Sequence, residues 1–236
     1  MRSRDPVLLA FDTSGAYGSV AVAVGDTLRA GTILPDRAEH ASKLLPAIDE
    51  VLREAGLEIR DVDGIVVGEG PGSFTGVRVA AATAKGLSSS AHIPLRPVSS
   101  LAAAALVALG EGPTSSPATG TRYALFDARG DRVYGACYRV GERILEELVA
   151  PHAGRIDDVL DGDVPEGTLF TGDGASKHRT RLEDAGYRVV AEASALPLAP
   201  GLLRCAGLGA APEVDDPGAW EPRYVRASSA ERMWTV

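Results

Sequence analysis

The chain has few residues that build metal or disulfide sites. Its 236 residues include only two cysteines, Cys137 and Cys205, and they are too far apart to form a Cys-x-x-Cys pair. This excludes a disulfide framework and favours buried, reduced thiols. The histidines are equally sparse, at His40, His92, His152 and His178, so the chain has no His-x-x-x-His pair on one helix. A metal site would need ligands from distant segments, and we predict none.

Long apolar runs are missing near the start of the sequence. Val7–Phe11 is apolar for five residues before Asp12 interrupts it, which is too short for a signal peptide or a membrane span. We therefore expect a cytoplasmic protein with no membrane association. Basic residues are also fewer than acidic ones, at 24 against 32, and the net charge is −8. This argues against strong direct binding of nucleic acid, so we expect contact with RNA only through a partner.

A glycine-rich segment, Gly-Glu-Gly-Pro-Gly-Ser-Phe-Thr-Gly-Val-Arg at 68–78, is the most distinctive stretch. It follows the apolar strand 64–67 and precedes an alanine-rich helix at 80–87, and Ser73 is a suitable N-cap. Such a turn can hold an anion at the positive end of the helix, or it can simply let the helix lie close to the sheet. It is neither a P-loop nor a Gly-x-Gly-x-x-Gly motif. The chain also lacks a Gly-x-Ser-x-Gly elbow, so no catalytic residue is predicted.

The remaining pattern indicates an α/β protein with two similar halves. Each half begins with a strand, an Asp-containing turn and a returning strand, first around Asp12 and again around Asp127.

Asp36 and Glu39 fit a capping box for a helix that ends at Gly56, with a kink or restart expected at Pro46. Later strands are predicted at 94–98, 144–149 and 168–171, and later helices at 100–109, 177–185 and 198–208. We expect lobes at 1–110 and 122–236, with 111–121 as a linker and the last helix packing back on the first lobe.

Five short matches, in order along the chain, resemble the TsaB (YeaZ) family. They are Leu9–Ser14, Glu39-His40, the signature at 70–78, Asp127-Ala128-Arg129 with Val133-Tyr134, and the ending from Glu221 to Arg226. The resemblance implies an actin-like ATPase (ASKHA) fold, with two lobes that each hold a mixed β-sheet flanked by helices. It also implies a non-catalytic subunit that pairs with a catalytic TsaD-like protein, and through it with a TsaE-like ATPase. That machinery forms threonylcarbamoyladenosine at position 37 of tRNAs that read codons starting with A.

The resemblance assigns two groups of site residues. The partner surface is expected on the first two helices, at Glu39, His40, Leu45, Phe74, Val77, Arg78, Ala81, Ala82 and Lys85. A vestigial phosphate or nucleotide cleft is expected at Asp12, Ser14, Gly15, Gly70, Gly72, Ser73 and Asp127. No cofactor is expected, and ATP or ADP would bind only at the interface of the complex.

Two functional hypotheses remain open at this point. In the first, the chain is a scaffold that contributes no reacting group. The lack of a metal-ligand pair and of a lysine in the glycine loop favours this hypothesis. In the second, it is a free-standing actin-like ATPase or small-molecule kinase that uses Asp12 and the Gly70–Gly76 loop. A glycoprotease-like peptidase has no metal or nucleophile constellation behind it. The sequence leaves the free chain as either a monomer or a homodimer.

Overall fold

The computed structural model describes residues 5–107, 119–190 and 197–225, and within these ranges two five-stranded mixed sheets form the framework. The first sheet has the spatial order β3-β2-β1-β4-β5. Its strands are β1 (Val7–Asp12), β2 (Gly18–Val24), β3 (Thr27–Leu34), β4 (Gly64–Gly68) and β5 (Leu95–Val98). The strands β1, β2 and β3 are antiparallel neighbours, whereas β1, β4 and β5 run parallel.

The second sheet repeats this topology, with the spatial order β10-β9-β6-β7-β8. Its strands are β6 (Gly120–Asp127), β7 (Arg132–Val140), β8 (Leu145–Arg155), β9 (Leu169–Thr171) and β10 (Arg188–Val189). Here β6, β7 and β8 are antiparallel, and β6, β9 and β10 are parallel. The predicted α/β class and the repeated strand, turn and strand opening are confirmed.

Helices cover both faces of each sheet. They are α1 (His40–Glu54), α2 (Phe74–Ala91), α3 (Ser100–Val107), α4 (Ile156–Leu160), α5 (Asp173–Lys177), α6 (Arg179–Asp184) and α7 (Leu198–Gly207). One apolar core joins α1 and α2 to the first sheet, a second surrounds α3 and α7 between the two sheets, and a third joins α4, α5 and α6 to the second sheet. None of the helices in the described ranges combines the length and apolarity needed to cross a membrane.

The alternation of side-chain size along β1 explains this layering. Leu9 and Phe11 point to the core beneath α1 and α2, whereas the smaller Ala10 points to the core around α3 and α7. Helix α3 has buried side chains from Ser100 to Leu106, as expected for a helix enclosed on all sides. At Gly201 in α7, any Cβ would collide with the Ala103 carbonyl of α3, so the two helices require glycine there.

Several local predictions are confirmed and others are wrong. Ser73 caps α2 by accepting a hydrogen bond from the Gly76 amide, as predicted, and α7 forms as one helix despite Pro200. The Asp36–Glu39 capping box is wrong, because Asp36 caps only a short 3₁₀ turn and α1 begins at His40. Of the kink or restart predicted at Pro46, the restart is wrong, since α1 runs through it without interruption, and the kink stays a prediction.

In the second lobe two boundaries differ from the prediction. Strand β8 extends to Arg155, well beyond the predicted 144–149, because it pairs with β7 along most of that strand. The single helix predicted at 177–185 is two short helices that start at Asp173 and break at His178. The linker predicted at 111–121 lies mostly outside the described residues, as does the tail from Arg226 onward.

Candidate functional site: the interlobe cleft and the face of α1 and α2

Asp12, at the end of β1, is enclosed by hydrogen bonds from its own chain. Its Oδ1 accepts from the Ser14 amide at 2.6 Å and the Ser14 hydroxyl at 2.7 Å, and its Oδ2 accepts from the Ser100 hydroxyl at 2.5 Å. The side chain has no solvent exposure, and this burial raises the pKa of the Asp12 carboxyl above its usual range, against the lowering effect of the Ser100 and Ser14 hydrogen bonds. Asp12 therefore ties β1 to the start of α3 and does not line the cleft.

The glycine loop before α2 is docked against the turn that follows Asp12. The Ser73 amide donates to the Ser14 carbonyl at 2.8 Å, and the Thr13 hydroxyl donates to the Gly76 carbonyl at 2.6 Å. A Cβ at Gly72 would lie 2.5 Å from the Ser14 carbonyl oxygen, and one at Gly76 would overlap the Thr13 carbonyl. Close contact between two backbones therefore explains these two glycines.

The corresponding turn of the second lobe carries charged groups. Asp127 accepts hydrogen bonds through Oδ1 from the Arg129 amide at 2.9 Å and from Lys177 Nζ at 2.7 Å, and its own amide donates to Asp173 Oδ1 at 3.0 Å. Burial raises the pKa of the Asp173 carboxyl, opposed by the hydrogen bond from the Asp127 amide. Arg129 has a positive φ of 70°, which is uncommon for a residue other than glycine.

These two turns face each other across a cleft of about 540 Å³ between the lobes. Of the residues predicted for a phosphate cleft, Ser14, Gly15, Gly72, Ser73 and Asp127 line it, whereas Asp12 and Gly70 do not. Sequence reasoning missed several other lining residues, among them Arg37, Tyr134, Asp173, Arg223 and Tyr224. The glycine turn at 172–174 was visible in the sequence, but nothing in it indicated that Asp173 would face the first lobe.

The residues predicted for the partner surface divide by exposure. Leu45 on α1 is exposed, as are Phe74, Arg78 and Ala82 on α2, and Lys85 is half-buried. Glu39 is exposed in the short turn before α1. The other three, His40, Val77 and Ala81, are buried in the chain itself. Leu45 is 54% exposed and Phe74 is 40% exposed, which places large apolar side chains in water.

A segment that follows α7 crosses the outer face of α2. This C-terminal strap, residues 211–225, is attached to the first sheet by the Val214 amide, which donates to the Leu95 carbonyl. Lys85 donates to the Gly218 carbonyl at 3.1 Å and pairs with Glu221 at 2.9 Å. The strap therefore covers one flank of α2, although the sequence showed it only as a loop and a short match to a family.

The Arg78 side chain lies between two aromatic rings at the end of the strap. Its guanidinium carbon lies 3.9 Å above the centre of the Phe74 ring, and its Nε donates to the Tyr224 hydroxyl at 3.2 Å. The Phe74 and Tyr224 ring centres are 5.7 Å apart. Because Phe74 and Tyr224 also line the cleft, this cluster connects the cleft with the face of α2.

Metal-binding groups are not gathered in the part of the chain that the structure describes. Within those residues, no three His, Cys, Asp or Glu side chains come together in an arrangement that could hold an ion. The two cysteines are buried and unpaired. Cys205 lies in the core between the two sheets, and Cys137 lies in the core of the second sheet.

The comparisons with known proteins agree with this architecture. A family model described as "TsaD: tRNA N6-adenosine threonylcarbamoyltransferase" matches residues 26–193. The tRNA threonylcarbamoyladenosine biosynthesis protein TsaB of Bacillus subtilis is 31% identical over 229 residues, which cover 96% of this chain and 97% of that protein.

Two solved structures are similar to this chain in fold. YeaZ from Pseudomonas aeruginosa has a TM-score of 0.75 and 29% identity, over 93% of this chain and 99% of that one. Component A of (R)-2-hydroxyglutaryl-CoA dehydratase from Acidaminococcus fermentans has a TM-score of 0.53 and 12% identity, over 87% of this chain and 99% of that one, and shows the shared fold alone. The predicted actin-like architecture is confirmed, and the chain belongs to the TsaB (YeaZ) family.

Proposed function

We propose that the chain is a non-catalytic scaffold or activator subunit in the formation of N6-threonylcarbamoyladenosine at position 37 of tRNAs that read codons starting with A. The relatives named TsaB support the pathway. One structural observation carries the scaffold role: of the five large apolar side chains that are exposed among the described residues, Leu45 and Phe74 lie on α1 and α2, which contact each other. Exposed apolar side chains on neighbouring helices are typical of a protein–protein contact.

The proposed partner is a TsaD-like catalytic subunit that meets α1 and α2. Small residues beside the exposed apolar ones favour close approach of a second helix. Ala82 is exposed, and a Cβ added at Gly86 would meet no atom within 4 Å. His40, Val77 and Ala81 would then support this face from within the core. A TsaE-like ATPase and tRNA would join the complex through the TsaD-like subunit in the cytoplasm, and ATP or ADP would bind only where the subunits meet.

The surroundings of Asp12 weigh against a free-standing ATPase that uses this residue. An aspartate that orients a hydrated metal ion needs a carboxylate oxygen open to the cleft. Both Asp12 oxygens instead accept hydrogen bonds from Ser14 and Ser100, and the side chain is fully buried. The geometry of the first lobe therefore supports the scaffold.

Co-purification with a TsaD-like subunit tests the proposal. Ala82→Arg should abolish the heterodimer, because it places a long charged side chain on the exposed face of α2. Ala150→Arg makes the same change on an exposed position of β8 in the other lobe and should leave the complex intact. Circular dichroism should show both variants folded. If the wild-type chain forms no complex, or if both variants bind equally well, the proposal is wrong.

A further inference from the structure

The end of the C-terminal strap extends the exposed apolar surface of α2. Five large apolar or aromatic side chains are exposed among the described residues, and three of them are Leu45 on α1, Phe74 on α2 and Tyr224 in the strap. The Phe74 and Tyr224 rings have their centres 5.7 Å apart. A partner that covers Phe74 would therefore also meet the strap.

The strap is attached to the first lobe immediately before Tyr224. Pro222 is buried, and the Arg223 amide donates to the Glu69 carbonyl at 3.1 Å. One residue earlier the strap forms its ion pair with α2. These contacts keep Tyr224 beside Arg78, although 146 positions separate the two residues in the sequence.

Arg78 is held in a defined orientation by the two rings. Its guanidinium carbon lies 3.9 Å from the centre of the Phe74 ring and 5.8 Å from that of Tyr224, and its Nε donates to the Tyr224 hydroxyl at 3.2 Å. These contacts restrict a long side chain, so less conformational entropy is lost when it binds a further group. The hydrogen bond uses Nε alone, which leaves the two terminal nitrogens as donors.

The charge of Arg78 has no carboxylate beside it in the part of the chain that the structure describes. Its contacts there are the Tyr224 hydroxyl and the two rings. Other cations next to the strap are paired, since Lys85 contacts Glu221 and Arg96 contacts Glu213. An exposed guanidinium that is already oriented, with both terminal nitrogens unused, matches the two oxygens of a carboxylate.

We propose that Arg78, positioned by Tyr224, binds an aspartate or glutamate side chain of the TsaD-like subunit. This inference rests on the proposed function, and it names the chemistry that the partner presents to α2 and the strap. Arg78 makes the contact with the partner. Tyr224 is a positioning residue, because its hydroxyl accepts the hydrogen bond that orients the guanidinium.

Calorimetric titration of the full chain with a TsaD-like subunit tests the contact. Arg78→Ala should weaken the heterodimer by about tenfold or more, because it removes a charge-assisted pair. Arg78→Lys should recover only part of this loss, since an ammonium group cannot form the two parallel hydrogen bonds. Added salt should weaken the wild-type complex more than the Arg78→Ala complex. The matched control is Arg139→Ala, which removes an exposed arginine of the other lobe that pairs with Glu146, and it should bind like the wild type.

A double-mutant cycle tests the positioning role of Tyr224. Tyr224→Phe keeps the ring and removes the hydroxyl, so it should weaken the heterodimer by about threefold in the wild-type background. The same change should have no effect in the Arg78→Ala background, because the hydroxyl acts through Arg78. Equal weakening in both backgrounds would show that Tyr224 does not act through Arg78.

Three further results would overturn the proposal. The first is a complex that Ala82→Arg abolishes and Arg78→Ala leaves intact, which would refute this inference and keep the proposed function. The second is equal weakening by Arg139→Ala. The third is loss of the Arg78→Ala effect when residues 226–236 are deleted, because the carboxylate would then belong to this chain, whose Glu231 lies in that segment. If the wild-type chain forms no complex, both proposals are wrong.

Discussion

Two substitutions of Asp12 distinguish a structural role from a chemical one, because they should differ in how much stability they cost. Asp12→Ala removes the acceptor of three hydrogen bonds and leaves buried donors on Ser14 without a partner. At about 1 kcal/mol for each bond, plus the cost of unpaired buried donors, the loss is about 3–5 kcal/mol. A domain of this kind is stable by about 5–15 kcal/mol, so the loss is large but measurable by urea unfolding.

Asp12→Asn should cost less at neutral pH, about 1–2 kcal/mol. The amide oxygen can accept both hydrogen bonds from Ser14. The amide nitrogen can donate to the Ser100 hydroxyl oxygen, but the Ser100 proton then loses the acceptor that it has in Asp12 Oδ2. In the scaffold hypothesis this variant also keeps the heterodimer. A variant that unfolds as easily as Asp12→Ala, or that loses an ATP turnover present in the wild type, would refute this reasoning.

The difference in stability between wild type and Asp12→Asn should also depend on pH, and the direction of this dependence is defined. Burial raises the pKa of Asp12 in the folded chain above its value in the unfolded chain. The folded state then binds the proton more tightly, so the contribution of Asp12 is full below the unfolded pKa of about 4 and is lost as pH rises through the folded pKa. The stability of wild type relative to Asp12→Asn should therefore fall as pH increases above about 4. A difference that grows with pH would contradict the burial argument.

Three further predictions concern α2. Gly76→Ala should destabilise the chain by about 3 kcal/mol, because the new methyl group overlaps the Thr13 carbonyl, and urea unfolding should show it. Gly86→Ala, in the same helix but with open space around it, should stabilise by about 0.5–1 kcal/mol, and a loss there would contradict the assignment of helix. Glu221→Ala should cost less than about 1 kcal/mol and less still in high salt, because its pair with Lys85 is 71% exposed on the Glu221 side.

The parts of the structure that follow from the sequence are the local ones. Ser73 as an N-cap and the strand before it need only neighbouring residues, and both are found. The extent of β8 depends instead on pairing with β7, so its end at Arg155 could not be derived from its own pattern. The enclosure of Asp12 depends on Ser100, which lies 88 residues away. The strap is the largest omission, since contacts such as that of Arg78 with Tyr224 join residues 146 positions apart.

The glycine loop illustrates why a motif alone does not establish an activity. A loop that cradles phosphate must keep its amides directed at the ligand. Here the Ser73 amide donates to the Ser14 carbonyl, and the Gly70 amide donates to the Ser100 hydroxyl. The glycines thus join the loop to the β1–β2 turn, and two of the loop's amides are used within the chain.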